Sequence, residues 1–530
     1  MRQDHRAIVS VGILALARTQ RTQPSEVEHV VDLTTFLFNQ TRFAETIHFD
    51  CGSGDVKILK HPVRHLLPLS RQYCATGVTG QVTPRPVFVG RLCVLFRSRD
   101  LLCRRRLRRS AKRSPMHIQA DRALIPAHTP AVRHLTVTIT APSAQGATKD
   151  RPAVNVAFVL DRSGSMDGKK IEMARSAVTH AIKLLNARDQ FAVVVFDNVV
   201  DTILATTAAS KEAKAKAFAN LTKVDARGGT DLSAGWFAGA QQAGIGANGV
   251  KRVLLLTDGL ANEGVVDHDE LAQAAAKFRE AGVTTSTFGV GADFDEELLA
   301  RIATNGGGHF YFIEKAKQIP DFLTSELGET LETVARDATL DIACPPGIEV
   351  TALNGLPTET AHSHLRVKLG DLVADQEITL ALAVSFAPQL LESVTFVDCS
   401  LTDRDGKLYP EPMRVEWRAA DTAANTIQPV NQQVLVVVAE LLADRARATA
   451  LSFNRRGQYD EVQRVLRDVI EHLRGLAPGN PQVVAIIDRL RHEELELGQP
   501  ITALASKARH FANYSRIQSR SEDGKARRRG

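Results

Sequence analysis

The chain has 530 residues, 44% hydrophobic and 24% charged, a balance that excludes a collagen-like or fully disordered polypeptide and allows two to four globular domains. No apolar run approaches the ~18 residues of a membrane-spanning helix, so no transmembrane segment is expected. The net charge of +6 is unevenly placed: residues 1–115 hold 20 Lys+Arg against 8 Asp+Glu, which leaves the remainder acidic and without a charge pattern suited to nucleic acid.

Residues 1–115 differ in texture from the rest of the chain. Arginine outnumbers lysine 17 to 3, RRRLRR occupies 104–109, and no helix or strand period is sustained. Ala7 to Ala17 (AIVSVGILALA), behind Arg2 and Arg6, mimics a secretory signal. His61 and His65 stand four apart, but Pro62 between them argues against a helical metal pair. The texture changes at Met116, which is read as the start of the folded protein. Residues 1–115 are then upstream sequence or a basic disordered leader touching nucleic acid or membrane. Four of six cysteines (Cys51, Cys74, Cys93, Cys103) fall in this stretch. Cys344 and Cys399 alone remain, too few for a disulfide framework. A cytoplasmic location is expected, or a secreted or periplasmic one if residues 1–17 are a signal peptide.

Residues 116–150 alternate like strands. From Pro152 short continuous apolar runs alternate with helical stripes. Strands are expected over Val154–Leu160, Phe191–Phe196, Asp201–Ala205, Arg252–Thr257, Thr284–Val290 and His309–Ile313, with Asp201–Ala205 a hairpin edge. Helical stripes run through Ile171, Ala174, Val178, Ile182 and Leu185, through Leu232, Trp236 and Ala240, through Leu271, Ala275 and Phe278, and through Leu298, Leu299 and Ile302. The alternation predicts an α/β fold over 151–334, a doubly wound, mostly parallel, Rossmann-like sheet with helices on both faces.

Such sheets place their sites beyond the carboxyl ends of the strands. Asp161 ends the first strand and Asp258, in VLLLTDG, ends a later one. Thr230, in GGTDL, precedes a helix on a glycine-rich loop. With Ser163 and Ser165 these residues converge on one crevice. Two carboxylates and three hydroxyls are hard oxygen donors, without His or Cys, and suit Mg²⁺, Mn²⁺ or Ca²⁺ better than zinc or copper. In an extended turn Asp161, Ser163 and Ser165 point to one side. Taken singly, each segment also reads as a helix cap or turn.

DRSGSM, GGTDL and TDG, in this order, resemble the metal-ion-dependent adhesion site of the von Willebrand factor type A domain, in proteins of bacterial type. All five positions of that pattern are filled. The resemblance implies direct coordination of the ion by Ser163 and Ser165, and binding by Asp161 and Asp258 directly or through water. It also implies that Thr230 engages or withdraws with conformation. An Asp or Glu of a partner protein would fill the open position. The function expected is a metal-dependent protein-protein interaction module, an adaptor and not an enzyme. A metal-dependent hydrolase is the alternative, with Asp167 or Glu263 as base. A subunit serving an AAA+ ATPase, a chelatase or a membrane complex is another. HEELE at His492 lacks the second histidine of a zinc-protease motif.

Short alternating strands over 335–420, like those over 116–150, predict a β-sandwich into which the α/β domain is inserted. Cys344 and Cys399 read there as small buried hydrophobes. Residues 428–512 read as a helical hairpin or bundle, with a stripe through Val462, Val465, Leu466, Val469, Ile470 and Leu473 and a loose likeness to a tetratricopeptide hairpin. Residues 513–530 read as a disordered polar tail.

Overall fold

A computed structural model describes residues 43–49, 56–62, 115–144, 151–245, 249–361, 363–408 and 410–529. In the first of two compact units, Met1–Leu107, strands β1 (Phe43–Phe49) and β2 (Val56–Pro62) pair antiparallel. This hairpin is regular structure within a stretch whose sequence shows no sustained period. His61 lies in β2, whereas the secretory-like run, His65, RRRLRR and the four cysteines of residues 1–114 lie outside the described residues. The second unit, Arg108–Gly530, holds all the remaining elements.

Three strands, β3 (Met116–Ala120), β4 (Leu124–Pro126) and β5 (Ala131–Thr140), precede the α/β region. That region runs β6 (Val154–Asp161), α1 (Lys169–Leu184), β7 (Gln190–Phe196), β8 (Val200–Ala208), α2 (Lys211–Leu221), α3 (Leu232–Gly244), β9 (Val250–Thr257), α4 (His268–Glu280), β10 (Val283–Val290), α5 (Glu296–Asn305), β11 (Gly307–Ile313) and α6 (Ile319–Leu331). The sheet order is β11-β10-β9-β6-β7-β8. All pairs are parallel except β7 with β8, the expected edge hairpin. Every residue of β6 and of β10 is buried, as continuous apolar strands between two helical layers require. Helix α3 lies on β6 so closely that a Cβ at Gly239 would stand 2.1 Å from Val159 Cγ2. The lysine- and alanine-rich α2 has no wide apolar stripe to announce it. It buries only Ala217 and Leu221.

The chain then forms β12 (Thr333–Ala343), β13 (Ile348–Ala352), β14 (Thr358–Ala361), β15 (His364–Val373), β16 (Glu377–Phe386), β17 (Val394–Thr402) and β18 (Met413–Ala420). Two sheets result, β14-β15-β12-β17-β18-β4 and β13-β16-β5-β3. Strands from before and after the α/β region share both sheets. The longest such pairing sets β5 against β16, from Ala131 opposite Phe386 to Thr140 opposite Glu377. Leu340, Val367, Val397 and Trp417 of one sheet and Leu135, Val137, Leu380 and Leu382 of the other form a single core, where Trp417 meets Phe386 edge-on. Cys344 and Cys399 are free thiols in this core, and burial pushes Cys399 up to about 12.

Helices α7 (Thr422–Ile427), α8 (Gln432–Arg455), α9 (Tyr459–Leu476), α10 (Pro481–Leu497) and α11 (Ala503–Ile517) complete the order of elements. Val462, Leu466, Ile470 and Leu473 are the buried face of α9. Lys507 of α11 reaches the backbone oxygen of Phe294 and the carboxylate of Glu296, and Phe511 joins the α/β core.

Residues 513–529 do not form the disordered tail that their polarity suggests. After α11 the chain returns to the α/β sheet, and Arg520 is 2% exposed. Its guanidinium donates to Glu329 Oε2 (2.6 Å), to His309 Nε2 (2.9 Å) and to the Gly524 carbonyl (2.5 Å). The Ala526 amide donates to Glu329 Oε1 (2.9 Å), and the Glu377 amide donates to the Arg527 carbonyl (2.8 Å). Beside Glu329, buried Glu326 accepts from Arg252 (2.8 Å), Ser286 (2.6 Å), Tyr311 (2.6 Å) and His309 Nδ1 (3.1 Å). Because Arg520 donates to Nε2, His309 carries its one proton on Nδ1 and is neutral. Burial first, then the neighbouring Arg520, lowers the pKa of His309. Burial opposes the charge of Glu326, and its hydrogen-bonded neighbours, with Arg252 and Arg520, overcome that and hold it well below the carboxylate range.

Removing Arg520 strands these buried carboxylates. Arg520→Ala should cost about 3–5 kcal/mol of unfolding free energy in urea denaturation, the penalty for a broken buried ion pair. The same cluster sets a pH dependence. His309 is depressed from 6.5 and Glu326 from 4.5, so below each of these values the unfolded chain takes up protons that the folded chain refuses. Stability should fall as pH drops below about 6.5 and more steeply below about 4.5, and the upper limb should be smaller in His309→Gln, the remainder coming from His510, which burial lowers to about 4.

Candidate functional site

Strands β6 and β9 are parallel neighbours, with Leu160 opposite Leu256. The order of the chain reverses between them: β7 lies on one side of β6 and β9 on the other. A crevice therefore opens at their carboxyl ends. Asp161 closes β6 and Asp258 comes directly after β9, and both are fully buried. Asp161 Oδ1 accepts the Ser163 amide (2.7 Å) and Oδ2 the Thr257 hydroxyl (2.5 Å). The chain then tightens into a single 3-10 turn, Gly164–Met166, before α1. That turn brings Ser163 Oγ within 3.1 Å of Ser165 Oγ, and Ser165 donates to Asp258 Oδ1 (2.7 Å). Burial raises the Asp161 carboxyl to about 6 against the pull of these donors, and the facing Asp258 adds to the rise.

Arg162 occupies the alternate position and turns the other way. It pairs with Asp197 (3.0 Å) and Asp201 (2.5 Å), and Arg227 also reaches Asp197 (2.7 Å). Burial works against the Asp197 charge, but Arg227, the Val199 amide and Arg162 keep its pKa below the usual range. This cluster fixes the third loop. The Arg227 amide donates to the Arg162 carbonyl (2.7 Å), the Gly164 amide to the Gly228 carbonyl (3.1 Å) and the Asp231 amide to the Asp197 carbonyl (2.9 Å). Asp231 caps α3 through the Ala234 amide. Thr230 is thereby held beside Gly259, where a Cβ would lie 3.2 Å from Thr230 Oγ1 and 3.7 Å from Ser165 Oγ. The five oxygen-bearing residues expected from the sequence thus gather around one crevice. Ser165 alone among them is exposed; Asp161, Ser163, Thr230 and Asp258 are buried.

Other candidates fall elsewhere or at the rim. Asp167 is exposed at the end of the 3-10 turn. Glu263 is exposed and lies against Gly229, where a Cβ would meet its Oε1 at 2.3 Å. His492 belongs to α10. Sequence reasoning missed Lys170. Its ammonium contacts Asp258 Oδ2 and donates to the Ser165 carbonyl (3.2 Å). The signal available was two lysines in the first turn of α1, where the helix dipole favours acids. Also missed was the grouping of His309, Glu326 and Glu329, whose ligand atoms lie within 4.8 Å of one another. Arg252 and Arg520 already supply the positive charge there.

The donor set of the crevice fits a hard divalent cation. Two desolvated carboxylates repel each other unless a positive charge lies between them, every other donor is a neutral hydroxyl, and a lysine ammonium is drawn onto one carboxylate.

Residues 155–325 match the von Willebrand factor type A domain, and the α/β region has that domain's fold. The von Willebrand factor type A protein from Catenulispora acidiphila superposes with a TM-score of 0.57 at 18% identity, over 72% of this chain and 89% of that one. YfbK of Escherichia coli (strain K12) is 32% identical over 251 residues, 46% of this chain and 43% of YfbK. Inter-alpha-trypsin inhibitor heavy chain H4 of Sus scrofa is 27% identical over 318 residues, 57% of this chain and 33% of that one. The chain thus spans less than half the length of these two relatives.

The site's loops depend on one turn that glycine makes without strain and other residues do not. Gly228 has φ +70, and a Cβ there would stand 2.4 Å from Asn198 Oδ1. Gly228→Ala should cost about 1–2 kcal/mol in urea denaturation, the penalty for a left-handed L-residue together with local crowding.

Proposed function

We propose that the chain is a metal-dependent protein-binding module. A divalent ion, Mg²⁺ or else Mn²⁺ or Ca²⁺, would be held by Asp161, Ser163, Ser165, Thr230 and Asp258 and would take a carboxylate from a partner protein. The observation that carries this reading is the convergence of two buried carboxylates and three hydroxyls where strand order reverses. Type A domains often mediate metal-dependent protein interactions, and one relative is by name a heavy chain of an inhibitor, which fits a role in assembly. Two carboxylates balance the charge of a divalent ion without exceeding it, so the ion stays attractive to an incoming Asp or Glu. Ser165, at the exposed end of the set, marks the side from which such a group would approach.

In this reading the chain's own residues divide the work. Asp161 and Asp258 supply charge, Ser163 and Ser165 supply neutral donors, and Thr257 and the Ser163 amide fix the Asp161 carboxylate. The Arg162–Asp197–Arg227 cluster sets the loop that carries Thr230. The site then acts as an adaptor and not as an enzyme.

Titration calorimetry with Mg²⁺ should give one site per chain, lost in Asp258→Ala and weakened in Thr230→Ala. Thr230→Ala should change unfolding free energy by no more than about 1 kcal/mol, as expected for one loop hydroxyl. Absence of Mg²⁺, Mn²⁺ and Ca²⁺ binding by the wild-type chain would remove this reading.

A further inference from the structure

Lys170 is out of place by the ordinary rules of helix ends. It is the second residue of α1, with Lys169 before it, at the end of the helix where a positive charge is disfavoured. Its ammonium is nonetheless turned inward onto Asp258, whose side chain has no exposure, and onto the Ser165 carbonyl. A carboxylate taken out of water is costly unless it is paired, and the ammonium supplies the pair. Both of its oxygens are in use: Ser165 donates to Oδ1 and Lys170 binds Oδ2. A metal ion seeking Asp258 therefore meets a hydroxyl, which can turn its proton away and offer a lone pair, and an ammonium, which has none to offer.

The lysine side chain is itself 29% exposed, and its four-carbon stem swings readily. Beside it is Gly291, at φ +81, where even an added Cβ would lie 3.8 Å from Nζ, so no bulky side chain confines the ammonium on that side. Withdrawal to water needs a rotamer change and no movement of the backbone.

We propose that Lys170 is the resident cation of this site and leaves Asp258 when a divalent ion binds. The inference rests on the metal-binding reading above and adds its regulation: without the ion Lys170 offsets one of the two carboxylate charges, and ion uptake exchanges that ammonium for a divalent cation that offsets both. Lys170 lowers the apparent affinity for the ion. The freed ammonium then stands at the rim near exposed Ser165, where it adds positive charge facing an incoming carboxylate.

Two measurements on the full chain test this. Calorimetric Mg²⁺ titration should show Lys170→Met binding about tenfold tighter or more, because a positive charge a few ångströms from the ion is removed. Lys170→Arg, which keeps the charge, should gain no affinity. In the wild-type chain, acetylation of Lys170 by an N-hydroxysuccinimide ester, followed by mass spectrometry, should rise several-fold when Mg²⁺ is added. This arm does not depend on the variants folding. Equal or weaker Mg²⁺ binding by Lys170→Met, or Lys170 labelling that is unchanged or reduced by Mg²⁺, overturns the exchange while leaving the metal site standing. Binding heat absent from both wild type and Lys170→Met overturns the metal reading and the exchange together. Binding by Lys170→Met alone overturns the exchange, because a wild-type chain that takes up no ion exchanges none.

Discussion

Two carboxylates with no access to water stand at the ends of neighbouring parallel strands, and the upper face of the α/β region is organised around tolerating them. A buried charge is expensive unless it is paired or hydrogen-bonded. Asp161 is met by an amide and a hydroxyl, and Asp258 by a hydroxyl and a lysine. One position along, Arg162 faces the other way and anchors a separate cluster with Asp197, Asp201 and Arg227. The alternation of a strand end thus sorts adjacent residues into two electrostatic compartments. One is short of positive charge and attracts a cation. The other is saturated and serves as a scaffold for the loop that carries Thr230.

Much of this was legible in the sequence, for a physical reason. Strands buried on both faces must be continuous apolar runs, so β6 and β9 are conspicuous, and so are the polar residues that stop them. The five oxygen donors of the crevice are local to those stops or to a glycine-marked loop. The insertion of the α/β region into a sandwich could also be read, since period-two alternation appears on both sides of it. Features that could not be read depend on partners remote in sequence. Arg520 looks like one more charge in a polar tail until Glu329, nearly two hundred residues earlier, is placed against it. Lys170 and Asp258 are 88 residues apart. Helix α2, held by two buried side chains, has too narrow an apolar face to stand out.

The Arg252–Glu326–His309–Arg520 cluster joins parts that the sequence presents as separate. Arg252 also pairs with Asp371 of the sandwich (2.9 Å), and the segment after α11 bonds to the turn between β15 and β16 through Asp375 and Glu377. Helix α6, the last of the α/β region, is therefore held from the sheet below it and from the end of the described chain. All four groups of the network are paired with one another, although Arg252 Nε is left without an acceptor. The sandwich and the α/β region thus meet through specific charges.

The pairing of β5 with β16 has a consequence for how the chain is made. Thr140 and Glu377, opposite each other in the finished sheet, are 237 residues apart in the chain. At the usual pace of synthesis, about 5–20 residues per second, β5 leaves the ribosome roughly 12 to 50 seconds before its neighbour exists. Its apolar residues Leu135, Val137 and Ile139 must wait exposed, or shielded by a chaperone, while the inserted region is completed. The α/β region, whose strands mostly pair with near neighbours in sequence, has time to fold in that interval. Its first element follows β5 and its last leads into β12, one strand from each of the two sheets that share the sandwich core.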